Sequence, residues 1–112
     1  MLWYCDSSAV AKRYIREVGS QWFSREANKH SVIIAQISIV EVRAAVAFRV
    51  RTGSLSAFAA YKARQRFASH LNVSADQALP LTNSVLEAAS QLVFRHPLRA
   101  YDAVQLATAW IM

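Results

Sequence analysis

The chain has 112 residues, 54% of them hydrophobic, with 13 Lys and Arg against 7 Asp and Glu. That length and apolar content predict one domain with a core that needs no disulfide staples. A formal charge of +6 predicts attraction to polyanions. The sequence has no phosphate-cradling glycine loop, no zinc-ligand spacing around His30, His70 or His96, and no uninterrupted apolar span, which excludes those nucleotide-binding, zinc-finger and membrane-spanning classes. The single cysteine, Cys5, has no partner in the chain and reads as a small buried hydrophobe of a reducing compartment. No charged-then-apolar leader opens the chain, so the expected location is cytoplasmic.

In chain order, the apolar run Leu2 to Cys5 predicts a buried strand. Asp6-Ser7-Ser8 is an N-cap signal for a first helix reaching about Val18, with Val10, Tyr14 and Val18 on one face and Gly19 as its stop. Ser20 then caps a short second helix through about Asn28, presenting Trp22, Phe23 and Ala27. Val32 to Ala35 predicts a second strand. Ser38 starts a third helix to about Arg51, with Ile39, Val42, Val46 and Val50 at helical spacing, and Thr52-Gly53-Ser54 breaks it. A fourth helix is expected from Ser56 to Leu71 on the apolar positions Phe58, Tyr61, Phe67 and Leu71. Ala78 to Leu81 is a weaker third strand. Thr82 caps a fifth helix to about His96, stopped by Pro97, and a sixth starts near Arg99 and carries Ala103, Leu106, Ala107 and Trp110. Strands alternating with helices predict an α/β fold with a central parallel sheet flanked by helices.

Three of the seven acids stand where an apolar segment turns into a helix: Asp6, Glu41 and Asp102. In an open parallel sheet, ligands bind at the carboxyl ends of the strands. That edge should receive Asp6, at the end of the first strand, and Glu41, in the helix after the second. Each acid also has a purely structural reading. Asp6 can cap the first helix. Ser38-x-x-Glu41 can form a capping box, with Glu41 reaching back to the Ser38 N–H. Asp102 can be a first-turn acid stabilised by the helix dipole and by Arg99. Brought together, the three would form an oxygen-ligand cluster suited to a hard divalent cation. Lys12, Arg13 and Arg16 form a basic stripe on the first helix, read either as a solvated face or as a phosphate track. Arg43, Arg49, Arg51, Arg64 and Arg66 add positive charge around the third and fourth helices.

These segments resemble the PIN-domain ribonucleases, in particular the VapC-type toxins of bacterial toxin–antitoxin pairs. The resemblance rests on three runs: Tyr4-Cys5-Asp6-Ser7-Ser8-Ala9-Val10-Ala11-Lys12, Ile37-Ser38-Ile39-Val40-Glu41-Val42, and His96-Pro97-Leu98-Arg99-Ala100-Tyr101-Asp102-Ala103-Val104-Gln105-Leu106-Ala107-Thr108-Ala109. The third is the most specific. The resemblance implies a PIN-like three-layer fold in a single domain, 1–112. It implies an Mg²⁺- or Mn²⁺-dependent endoribonuclease with Asp6, Glu41 and Asp102 as catalytic metal ligands, Ser7 as a supporting hydroxyl, and products with 5′-phosphate and 3′-hydroxyl ends. It further implies a small cognate antitoxin that inserts a segment along the helical face, and a homodimer. The family normally continues into a fourth strand bearing a further acid and then a fifth strand, whereas nothing follows Met112, so the expected fold is truncated at its C-terminus. Two alternatives follow: a catalytically impaired PIN remnant that binds antitoxin, or a basic nucleic-acid-binding module in which the acids are only caps.

Overall fold

The computed structural model describes residues 2–73 and 78–111. Its elements run β1 (Leu2–Tyr4), α1 (Ser7–Ala11), α2 (Ser20–Ala27), β2 (Ser31–Ala35), α3 (Ser38–Arg51), α4 (Ala57–Val73), β3 (Ala78–Leu79), α5 (Asn83–Arg95) and α6 (Ala100–Ile111). The three strands form one parallel sheet in the order β1-β2-β3, with Trp3 opposite Val32 and Ala35 opposite Leu79. Parallel pairing puts the carboxyl ends of all three strands on one edge. The amides of Cys5 and Gln36 extend the pairing to that edge by donating to the Ile33 and Leu79 carbonyls.

Helix α3 begins at Ser38 and ends at Arg51 as the sequence predicts, burying Val42 and Val46. Thr82 caps α5 as expected, its hydroxyl accepting from the Val85 N–H at 3.2 Å. Three expectations are corrected. First, α1 stops at Ala11 rather than near Val18. The chain tightens into turns with i→i+3 bonds, Arg13 N–H to Val10 O and Tyr14 N–H to Ala11 O. These turns send Tyr14 and the adjacent Ile15 both inward and leave Val18 95% exposed. Gly19, at φ 87°, is the N-cap of α2 and not the end of a long first helix.

Second, α4 does not bury Phe58 and Tyr61. Its inward stripe is Ala60, Ala63 and Phe67, whose small first members let α4 pack closely in the core, while Phe58 and Tyr61 stay exposed. Third, Leu106 and Trp110 of α6 face outward. The buried face is Ala103, Gln105, Ala107 and Thr108. The two polar members tolerate burial because each is hydrogen-bonded: Thr108 Oγ1 donates to the Val104 carbonyl at 2.7 Å, and Gln105 reaches into a polar cluster.

Two cores result. The larger surrounds β1 and β2 and joins Cys5, Val10, Tyr14, Ile15, Val32, Ile34, Val42, Val46 and Phe67. Against it, Trp3 stacks on His30 at 4.3 Å and on Trp22 at 6.4 Å, which docks α2 beside the edge strand β1. The smaller lies between α5 and α6 and consists of Val85, Ala89, Ala103 and Ala107. None of the described helices is long and apolar enough to cross a membrane.

Candidate active site

Asp6 leaves β1 in extended backbone, and its Oδ1 accepts the Ala9 N–H at 2.9 Å. It is therefore the cap of α1 that the sequence predicts, an interaction that stabilises by about 1 kcal/mol. One carboxylate oxygen suffices for the cap.

Glu41 is not a capping residue. The N-cap of α3 is Ile37, which makes no side-chain cap bond, so the capping-box reading is overturned. Glu41 Oε1 instead accepts from Ser7 Oγ at 3.1 Å and from Gln105 Nε2 at 3.4 Å. Ser7 Oγ and the fully buried Ser38 Oγ lie 2.8 Å apart, and Gln105 Nε2 donates to both, at 3.1 and 3.0 Å. The Tyr4 hydroxyl donates to Gln105 Oε1. That bond orients the amide, because only the NH₂ side can then serve the cluster of acceptors. Three segments far apart in sequence, β1–α1, α3 and α6, are thus tied by one buried amide.

Asp102 lies exposed in the first turn of α6. It lines a cavity of about 460 Å³ together with Asp6, Tyr4 and Gln105. Among the described residues the only ion pairs are Lys12–Glu17 and Lys29–Glu26, so the expected Arg99–Asp102 pairing is not formed. Asp6 and Asp102 accordingly line one cavity, Glu41 is connected to it through Gln105, and none of the three acids forms an ion pair among the described residues. They do not draw into a single ligand cluster: among the described residues no three His, Cys, Asp or Glu side chains are grouped closely enough to hold an ion.

The surrounding groups register this charge. Burial pushes the Tyr4 phenol up to about 12; the nearby Thr108 hydroxyl opposes the shift, and the Asp6 and Glu41 carboxylates add to it. Burial and then Asp6 raise the Cys5 thiol, which keeps it protonated and inert. Tyr101 is raised by burial and then by Glu41, with the Ser8 and Ser7 hydroxyls opposing and Asp6 adding. Its phenol is a further neutral donor beside the acids.

Sequence reasoning assigned no role to Tyr4, Tyr101 or Gln105, and gave Ser38 only a place at the start of α3 and in the capping box. One signal was available for Gln105: it lies three residues after Asp102, one turn further along the same helical face. Lys12, Arg13 and Arg16 do come together, but in a second concavity that shares no lining residue with the acidic one.

A three-stranded parallel sheet flanked by helices defines an α/β domain. The PIN domain model matches residues 3–111, and the chain belongs to the PIN domain family, whose members are typically metal-dependent nucleases. No curated protein matches the chain. PIN nucleases generally use divalent metals, and the donor set fits one in kind. The three carboxylates are hard oxygen donors, and the hydrogen bonds to Asp6 and Glu41 come from neutral groups only, so no positive charge satisfies them.

Proposed function

We propose that this protein is an Mg²⁺- or Mn²⁺-dependent endoribonuclease of the VapC toxin kind, which hydrolyses RNA phosphodiester bonds and is restrained by a small antitoxin. The observation that carries this reading is that Asp6 and Asp102 line one cavity with Gln105, which also donates to Glu41, and that none of these acids forms an ion pair among the described residues, in a chain of the PIN family. Asp6, Glu41 and Asp102 would hold the ion. When bound, it lowers the pKa of a water and offsets charge on the phosphate. The chain's own residues do the positioning. Ser7 and Gln105 fix Oε1 of Glu41, and Oε2 accepts no hydrogen bond among the described residues. The cap bond fixes Asp6 through Oδ1. Tyr4 stays protonated through the physiological range and so holds Gln105 in one orientation.

The antitoxin has a candidate seat between α3 and α4. A cavity of about 520 Å³ there combines the apolar Val46, Val50 and Ala60 with Arg43, Arg51 and Arg64, a lining that suits an acidic amphipathic helix. The outward Leu106 and Trp110 of α6 support a homodimer. A second reading, a catalytically impaired PIN domain that only binds antitoxin or nucleic acid, is favoured by the failure of the three acids to cluster.

Glu41→Gln separates the two. Glutamine keeps the length and an oxygen for Ser7 but removes the charge. Mn²⁺ at about 100 times its dissociation constant should stabilise the unaltered protein by about 2.7 kcal/mol through mass action. Glu41→Gln should lose most of that thermal shift, and metal-dependent cleavage of single-stranded RNA should fall to background. An equal Mn²⁺ shift in the variant overturns the ligand assignment. An unaltered protein that binds RNA but never cleaves it, with any divalent ion, selects the second reading.

A further inference from the structure

The turns after α1, together with α2 and α4, enclose a concavity of about 520 Å³ whose cations are Lys12, Arg13, Arg16, Arg25 and Arg66. Of these, only Lys12 meets a carboxylate among the described residues, Glu17 at 3.4 Å. Two of the arginines are held in place by neutral groups. Arg13 Nη2 donates to Asn28 Oδ1 at 2.9 Å, and Arg66 Nη2 donates to the main-chain carbonyl of Arg13 at 3.1 Å. The Arg66 guanidinium also lies over the Tyr14 ring, 5.6 Å from its centroid. Tyr14 is itself buried and hydrogen-bonded to His70.

This differs from a solvated charge stripe. A solvated arginine is free to swing, whereas each of these two is held by partners that cancel none of its charge. Arginines lining one concavity without a counter-ion repel one another, and an anion bound there relieves that. The lining also selects the kind of anion. The cavity between α3 and α4 offers the exposed Val50 and Tyr61 to apolar side chains. Here Ile15 is 2% exposed, and the polar Gln21 and Ser24 join the arginines at the surface. Such a surface suits a polyanion that brings phosphates and sugars, not an amphipathic protein segment.

We propose that this concavity holds the phosphate backbone of single-stranded RNA, through Arg13, Arg16, Arg25 and Arg66. The assignment rests on the ribonuclease reading for the identity of the strand. Helix α1 links the two places: Asp6 caps its start and Lys12 its end. At about 1.5 Å rise per residue, they are roughly 9 Å apart along the helix axis. A strand cleaved at the acidic edge therefore reaches the concavity within a few nucleotides.

The test is the salt dependence of binding, measured by fluorescence anisotropy with a labelled single-stranded RNA in EDTA, so that nothing is cleaved. Each phosphate deprived of its arginine should reduce the slope of log K against log salt by about 0.7. Arg25→Gln and Arg66→Gln should each lower the slope by about that amount, while Arg64→Gln, on the α3–α4 cavity, leaves it unchanged. Arg66 packs on Tyr14, so if its variant melts early, Arg25→Gln carries the result. Unchanged slopes in both variants overturn the proposal, and metal-dependent cleavage by the unaltered protein would leave the ribonuclease reading standing. Flattened slopes in a protein that never cleaves RNA uphold the binding site and overturn the nuclease. Polyglutamate that binds and is not displaced by RNA overturns the proposal in favour of an acidic protein segment. No RNA binding at any salt overturns both.

Discussion

Around the sheet, Ile15, Val32, Ile34, Val42, Val46 and Phe67 are large, branched or aromatic, and each is less than a tenth exposed. Between α5 and α6 the buried residues are Val85 and three alanines, and the larger side chains of the same helices, Leu86, Phe94, Leu106 and Trp110, point outward. Hydrophobic burial scales with apolar area, so the first core supplies most of the driving force and the second mainly close helix–helix approach. Helix α6 nevertheless carries Asp102. Gln105 bonds it across to Tyr4, Ser7, Ser38 and Glu41. In this molecule one core makes the fold, and a polar bridge positions the acid-bearing helix against it.

The largest expected effect tests the first core. Phe67→Ala empties a site that is 3% exposed, beside Tyr14 at 5.2 Å. It should cost about 3–5 kcal/mol in urea unfolding. A loss below about 1 kcal/mol would mean that the sheet-side core is not the main source of stability.

Gln105→Leu probes the bridge. If the bridge were ornamental, an apolar side chain at this buried position would stabilise the protein. If it positions α6, the change leaves the Tyr4 hydroxyl without its acceptor and Ser7, Ser38 and Glu41 without an amide donor. The expected cost is then about 1–3 kcal/mol, accompanied by a weakened Mn²⁺-induced thermal shift. A stabilised variant with an undiminished metal response would show that α6 is held by its alanine core alone.

The smallest effect is read in alkaline solution. Folding raises Tyr4 from 10.0 to about 12. Below the unfolded value both states keep the proton, and stability does not depend on this group. Between the two values the unfolded chain releases the proton and the folded chain retains it, so stability falls as pH rises. Tyr14 and Tyr101 are raised in the same direction. Tyr4→Phe should therefore reduce, without abolishing, the fall in urea midpoint between about pH 9 and about pH 11. A fall as steep as in the unaltered protein would mean that Tyr4 is not shielded at the bridge.

Where a signal is local, it was legible. Asp6 and Thr82 cap the helices they precede, α3 keeps its predicted ends at Ser38 and Arg51, and the alternation of strand and helix gives the parallel sheet. The caps and the ends of α3 depend on bonds within a few residues, and the sheet on a pattern that repeats along the chain. Glu41 marks the limit. Ser38-x-x-Glu41 satisfies the capping-box pattern, yet the carboxylate leaves its own helix for Ser7 and Gln105, 34 and 64 residues away in the chain. The same limit applies to α4 and α6. Their apolar residues predict helices, but which face turns inward depends on the space left by neighbours, and close approach favoured alanine over Phe58, Tyr61, Leu106 and Trp110. Gln105 goes furthest beyond the sequence. A glutamine on a helix is an ordinary surface residue until Ser7, 98 positions earlier, and Tyr4, 101 positions earlier, supply the donors and acceptors that make its burial favourable. The three acids, the elements that carry them and the family can be read from the residues alone. That a buried amide holds those elements together is a property of the assembled fold, because a hydrogen bond between distant segments leaves no periodicity or spacing in the chain.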